Sequence, residues 1–349
     1  MISIIGAGPV GSHAAYLLAR KGYDVHVYEE HTKIGRPVQC TGIVTSEIAK
    51  IVDVKKEFLV NTVNLARIYS PNGKFIEVKL SKPNLIIDRE KFDKYLAAKA
   101  KKAGAKIHLG KKFEGIRNGK IMVSGEEIKT DYLIGADGPN SLVSKSICDS
   151  KGKKVVGIQA RVKKKIDPNV VEFWLGLGEF AWLVPESNSV ARVGLADSRN
   201  VKEQFEKLLK KVGGKVLEKQ GGIIPIYDSA RRIQKGRVMT IGDAAGQVKA
   251  TTYGGLVPGL IAATELGKSI DNYENNCNKR LKKELWLGMM MRKVLNKFSN
   301  EDYNQLVGYF TQNKIKKVLE EEDRDFPSRF LFKIIMKEPR LLKFATKLI

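Results

Sequence analysis

The sequence predicts an α/β fold (α+β overall): a Rossmann-type dinucleotide-binding domain, an antiparallel β-sheet domain inserted into it, and a helical C-terminal region. Three observations lead there. The chain opens on a strand, a glycine-rich turn, a helix and a second strand within about 30 residues. Residues 153–197 are β-rich, with alternating apolar positions in the stretches VEFWLGL and AWLVP. From about Leu256 onward the pattern is mostly helical.

Taken in order, the apolar run Ile2–Ile5 reads as a short buried strand. Residues 10–21 read as a helix that packs through Ala14, Ala15, Leu17 and Leu18, and residues 24–29 alternate as a second strand. Residues 31–45 are rich in Gly, Pro and Thr and read as a loop. Strands over 63–87 are broken by the turn signal Pro71-Asn72-Gly73. Phe92, Tyr95, Leu96 and Ala100 stand at helical spacing in a helix over 88–103, with Asp88 as N-cap and Gly104 as its stop. Strands are expected near 105–109, 121–124, 132–134 and 238–241, and a helix over 201–212 with more strand after it. The dinucleotide domain is therefore expected at 1–62, 86–150 and 236–270, the β-rich domain at 63–85 and 151–235, and the helical region at 271–349.

A chain of 349 residues with 43% hydrophobic and 29% charged residues is a soluble globular protein of roughly two domains. Cys40, Cys148 and Cys277 lie far apart, which argues against a disulfide framework and against a zinc or iron–sulfur site. No metal is expected, and the four His residues form no cluster; His13 reads as a packing or surface residue. Ile2–Ile5 runs straight into Gly6, so a signal peptide is not expected. No apolar run approaches the roughly 20 residues that span a bilayer. A reducing cytoplasm is the expected compartment, with room for peripheral contact at the inner face of a membrane. The formal charge of +24 implies an anionic partner or a solvated cationic surface. Nucleic acid is not expected, because basic and aromatic residues form no recognisable binding module.

The chemistry sits in three motifs. Gly6-Ala7-Gly8-Pro9-Val10-Gly11 lies between strand and helix. Gly6 permits the tight turn, Gly8 lets the backbone approach a pyrophosphate, and Gly11 permits close helix–strand packing. Glu29 ends the second strand, where a carboxylate accepts from ribose hydroxyls and repels the 2′-phosphate of NADP. The second motif is YLIGADGPNS, containing Asp137-Gly138; the third is VMTIGDAAG, containing Asp243 and Gly246, followed by Tyr253-Gly254-Gly255-Leu256. Asp243 can accept from a ribitol hydroxyl, and Gly246, Gly254 and Gly255 let backbone approach a flavin.

In this order these motifs resemble the aromatic-hydroxylase-like superfamily of FAD enzymes. Asp88–Asp93 matches that superfamily's helix start, which places Arg89 beside the FAD. The loop Gly35-Arg36-Pro37-Val38-Gln39-Cys40-Thr41-Gly42 resembles the Gly-x-Pro-x-x-Cys stretch of the geranylgeranyl reductase branch. The resemblance covers roughly residues 1–260. It implies FAD as cofactor, contacted at Val10, Glu29, Arg36, Cys40, Thr41, Arg89, Phe113, Asp243, Gly255 and Leu256. It also implies saturation of isoprenoid double bonds, on a polyprenyl lipid or prenyl diphosphate, with NAD(P)H or a ferredoxin as electron donor. Phe180–Pro185 stands in place of the branch's Tyr-x-Trp-x-Phe-Pro segment, which makes Phe180, Trp182 and Pro185 the implied substrate contacts. Phe180 and Val184 depart from that pattern, and Leu177 replaces a proline. An apolar tunnel in the β-rich domain, lined by Phe173, Trp174, Phe180 and Trp182, is expected to supply the close positioning that hydride transfer to an alkene needs, with Trp182 in a segment away from every FAD motif. Cys40 is the candidate catalytic residue: a thiol beside a flavin either donates a proton to a substrate carbon or packs there. The alternative reading is a flavin-dependent monooxygenase or halogenase, although a halogenase's Trp-x-Trp-x-Ile-Pro segment is absent. At the end of the chain, residues 329–349 should form two short amphipathic helices broken at Pro339. They would dip into lipid or pack on the core.

Overall fold

The computed structural model describes residues 1–148 and 152–348. Ile2–Ile5 is buried along its length and lies inside a six-stranded sheet. Val25–Glu29 and Tyr132–Gly135 pair with it in parallel on its two sides. Lys106–Leu109 and Val238–Thr240 extend the sheet in parallel, and Gln234–Lys235 closes one edge antiparallel. A parallel sheet covered on both faces needs apolar residues on both. Ile2 and Ile4 accordingly join the core formed with the helices Pro9–Ala19, Arg89–Lys102 and Leu256–Lys268. Ile5, Tyr28 and Leu133 join Phe113, Ile121 and Val123 on the opposite face.

That opposite face is covered by a small antiparallel sheet of Phe113–Arg117, Lys120–Val123 and Glu126–Ile128. Only its middle strand was expected. The other two carry exposed polar residues, so they show no clean apolar alternation. Their signal is the pair of turns, where Asn118 and Ser124 hold φ of 51° and 49° before Gly119 and Gly125.

The second sheet has eight strands. In spatial order they are Lys215–Pro225, Lys154–Lys163, Val190–Asp197, Phe180–Pro185, Val170–Trp174, Leu59–Tyr69, Phe75–Ile87 and Ile43–Val44. All neighbours are antiparallel except Val170–Trp174 and Leu59–Tyr69, which run parallel. The Leu59–Tyr69 and Phe75–Ile87 hairpin extends beyond 63–85 at both ends, because Leu59 and Asn61 pair with Ile87 and Ile86, and Leu85 and Ile86 also pair with Val44 and Ile43. Strand alternation divides the aromatic residues between the two faces. Trp174, Leu183 and Val193 pack under the helix Val201–Val212, whereas Phe173, Trp182 and Val184 face the other way with Tyr253.

The C-terminal region is helical, and several of its helices pack against the Phe75–Ile87 hairpin strand and the dinucleotide core. Pro339 falls where the sequence pattern placed the break: Pro327–Lys337 ends before it, and a 3-10 helix runs from Pro339 to Leu348.

Candidate active site

A cleft of about 760 Å³ separates the two sheets, and both contribute walls to it. At its deep end the three glycines of the first turn do different work. Gly6 holds φ of 101°, and a Cβ there would meet the Ala136 carbonyl oxygen at 2.4 Å. A Cβ on Gly11 would lie 2.1 Å from the Gly6 carbonyl oxygen, so this glycine sets the helix–strand spacing from outside the cleft lining. Gly8 has ordinary extended angles, and a Cβ on it would meet nothing within 4 Å. The space beside it is kept open, and the helix Pro9–Ala19 starts there with no side chain capping its free N–H groups. Val10 lines the cleft and packs between Gly242 and Gly259.

Glu29 reaches back to this turn. One carboxylate oxygen accepts from the Ala7 N–H at 2.7 Å and the other from the His31 N–H at 3.0 Å. Farther along, Arg89 is paired with Asp93 through bonds of 3.0 and 3.1 Å. Burial alone would lower the Arg89 pKa, but Asp93 and the neighbouring Cys40 thiol outweigh it and hold the guanidinium above its usual range. Burial raises Asp93 in turn, against the pull of Arg89. Asp243 is pushed up to about 6 by burial, with Arg89 pulling the other way. Its carboxylate lines the cleft, lies 2.6 Å from where a Gly255 Cβ would stand, and accepts no side-chain hydrogen bond among the described residues.

The remaining expected residues divide. Arg36, Cys40, Thr41, Phe113, Gly138, Gly255 and Leu256 line the cleft, as do Phe180 and Trp182. Arg36 is paired with Glu90 at the rim, and the Cys40 sulfur accepts from the Gly42 N–H at 3.3 Å. Asp137 lines the cleft too, but its carboxylate holds the start of the helix Leu142–Ile147. It accepts from the Leu142 and Val143 N–H groups at 2.8 and 3.3 Å, and from the Ser141 hydroxyl at 2.6 Å. Gly246 is not in the lining; it ends a 3-10 turn in the left-handed conformation. Pro185 is also outside, buried at the end of its strand with its carbonyl accepting from Asn61. Trp174 is on the far face, stacked on Tyr69, because it neighbours Phe173 in a strand. The aromatic wall is therefore Phe173, Phe180 and Trp182, and it shares one cleft with the glycine motifs, although Trp182 lies far from them in sequence. His13 lies on the buried face of the first helix, beside Thr264, its pKa lowered to about 4 by burial and by Lys99. Asp88 accepts from the Lys91 N–H as the expected N-cap.

Gln159 and Gln220 line the cleft and Arg292 stands behind it, and none of the three belongs to a motif. The Thr41 hydroxyl donates to Gln159 at 2.9 Å, and Gln159 donates to Gln220 at 2.8 Å, across two paired strands. Tyr253, with φ of 56°, donates its hydroxyl to Glu179. Arg292 stands 5.2 Å over the Tyr253 ring and donates to the carbonyls of Ala250, Thr251 and Glu179. This buried arginine ties the loop before Leu256 to the second sheet.

An open space at Gly8 beside uncapped helical N–H groups suits a pyrophosphate. Glu29 at the strand end suits a ribose, and the donor-free Asp243 suits a ribitol hydroxyl, so the residues present fit a flavin dinucleotide. The sequence model of the FAD binding domain family matches residues 1–276, and the chain belongs to that family. It is a flavin-dependent oxidoreductase with FAD as cofactor. It is similar over its full length to the digeranylgeranylglycerophospholipid reductase of Methanocaldococcus jannaschii, with 28% identity covering 98% of that protein. The protein of the same name from Methanosarcina acetivorans is 29% identical over 77% of this chain and 74% of its own. Among solved structures, a geranylgeranyl bacteriochlorophyll reductase-like protein from Thermoplasma acidophilum superposes with a TM-score of 0.84 at 23% identity, covering 100% of this chain and 98% of the other. A flavin-dependent halogenase superposes with a TM-score of 0.66 at 16% identity, covering 98% and 78%. These two likenesses are of fold. Among the described residues no helix is long and apolar enough to cross a membrane.

Proposed function

We propose that this chain saturates the double bonds of geranylgeranyl or related polyprenyl groups, carried by membrane lipids or their precursors. The observation that carries the reading is that the aromatic wall of Phe173, Phe180 and Trp182 opens onto the same cleft as the dinucleotide turn. An isolated alkene is a poor hydride acceptor, so the rate must come from holding it close and in line. A rigid apolar wall built on strands supplies that positioning. Bound FAD, once reduced, supplies a hydride to one alkene carbon.

The chain's own residues do the rest. The N–H groups of Pro9–Ala19 hold the pyrophosphate beside Gly6 and Gly8, Glu29 the ribose, and Asp243 the ribitol. Arg36, Thr41, Arg89, Gly138, Gly255 and Leu256 line the path of the cofactor. Cys40, next to Arg89, gives a proton to the second carbon. Phe180 and Trp182 grip the prenyl chain. The electrons come from NAD(P)H or a ferredoxin. The lipid is reached through peripheral contact with an anionic membrane. Phe332 and Met336, 68% and 65% exposed and one helical turn apart, stand next to Lys333 and Lys337.

The test is anaerobic. Reduced, FAD-loaded protein mixed with a geranylgeranyl lipid should reoxidise its flavin without oxygen. Reoxidation that requires oxygen would favour a monooxygenase or halogenase.

A further inference from the structure

Three arginines line the cleft, and two have a carboxylate: Arg36 has Glu90 and Arg89 has Asp93. Arg324 is different. It comes from the turn between the helices Asn313–Glu321 and Pro327–Lys337, in the part of the chain that no motif reached. Its Nε is buried and meets no acceptor, and no carboxylate oxygen lies within ion-pair distance of its guanidinium among the described residues. The flanking acids are already engaged. Asp325 holds Lys249 and accepts from the Thr45 hydroxyl at 2.7 Å, and Asp323 accepts from the Asp325 N–H at 2.8 Å. Burial accordingly pulls the Arg324 pKa down, with Asp325 and Asp323 opposing.

A half-buried cation without an acceptor costs free energy unless an anion comes to it. Its surroundings narrow which anion. Through Asp325 the turn is tied to Lys249, which forms a β-bridge with Gly254. Gly254, Gly255 and the start of Leu256–Lys268 line the same cleft. That helix begins at Gly255 without a side-chain cap and with no acid in its first turn, so its N-terminal field adds to the positive potential. This is the segment read above as lying against the flavin.

We propose that Arg324 is the counter-ion for the negative charge that the flavin acquires on reduction. The inference rests on the FAD site described above. The oxidised flavin ring is neutral. Uptake of two electrons from the donor and one proton leaves one net negative charge on its pyrimidine side, and transfer of a hydride to the substrate removes both electrons and returns the ring to neutral. Arg324 is then unpartnered in the oxidised protein and paired in the reduced one. That difference favours the reduced form and raises the midpoint potential.

The test is a dithionite titration against a reference dye, on FAD-loaded full-length protein without substrate. Wild type is compared with Arg324→Met, Arg324→Gln and Arg324→Lys. Losing the cation should weaken reduced-flavin binding relative to oxidised by about tenfold or more, read as a fall of about 30 mV for a two-electron couple. The Lys variant should keep most of the potential. If the Met protein does not retain FAD, the comparison of Gln with Lys decides in its place. Equal potentials in the charged and uncharged proteins overturn the proposal. So does an unchanged potential with weaker binding of phosphorylated but not dephosphorylated prenyl substrates, which would make Arg324 a headgroup ligand. A wild-type protein that binds no FAD would instead remove the cofactor site itself.

Discussion

Gly8→Val separates what the fold needs from what the cofactor needs. Gly8 sits at φ −63° and ψ 176°, which a side chain tolerates, and its Cβ would point into space with nothing within 4 Å. Apo-protein stability should therefore stay within about 0.5 kcal/mol of wild type. The side chain would occupy the volume next to the free N–H groups of Pro9–Ala19. Pushing a pyrophosphate off two such donors forfeits about 1.5–3 kcal/mol for each charge-assisted bond. The sum, about 3–6 kcal/mol, weakens FAD binding roughly a hundred- to ten-thousand-fold. Gly11→Ala is the control. Its Cβ would lie 2.1 Å from the Gly6 carbonyl oxygen and 3.0 Å from the Ala136 Cβ, so helix and strand must part. Overpacking of that kind costs about 1–3 kcal/mol in the apo protein. Thermal melts of both apo variants and fluorescence titration with FAD make the comparison. Near-normal FAD affinity in Gly8→Val would refute the placement of the pyrophosphate, and an unfolded Gly8→Val would refute the steric argument.

Three further outcomes are expected. Asp243, raised to about 6 from 3.8 in the fold, favours the apo fold fully below pH 3.8 and loses that contribution as pH rises through 6. Asp243→Asn should thus stabilise the apo protein at pH 7.5 by up to about 3 kcal/mol, with the gain fading toward pH 4 in thermal melts, while weakening FAD. A gain independent of pH would contradict this. Cys40→Ala should retain FAD, since Arg89 keeps its pairing with Asp93 when the neighbouring thiol is lost, and should turn over at least about tenfold more slowly if the thiol is the proton donor. Unchanged turnover leaves it a packing role. Phe332→Ser with Met336→Ser should keep the melting temperature, because both side chains are exposed, and reduce co-sedimentation with anionic vesicles at low salt. Equal sedimentation removes this face from the membrane account.

What the sequence disclosed followed from local physics. Gly11 is dictated by its contact with Gly6 inside one βα turn and Gly6 by its own positive φ, so their spacing is legible without a structure, although the Ala136 carbonyl that also crowds Gly6 is not. Asp88 as a cap and Pro339 as a break are equally local. Trp174 is instructive: alternation already places it opposite Phe173, so a wall holding both conflicts with a single strand. Which of the two faces the cleft depends on the helix Val201–Val212, and no nearby residue reveals that. Gln159 and Gln220 meet through strand register across 61 positions. Arg292 reaches Glu179 across 113 positions, and Arg324 arrives through the packing of the last helices. Such contacts come from tertiary assembly, and one sequence carries no local trace of them. Asn118-Gly119, by contrast, is a local hairpin signal that marks the Phe113–Arg117 strand.

On the proposed function, reduced FAD in this cleft hydrogenates a prenyl chain held against Phe173, Phe180 and Trp182. The direct measurement is mass spectrometry of lipids from cells that make geranylgeranyl lipids and express this chain, beside cells expressing Gly8→Val. Prenyl lipids heavier by two hydrogens for each double bond removed should accumulate with the wild-type chain and be absent with the variant. Lipids of unchanged mass, or products heavier by an oxygen or a halogen, would contradict the account.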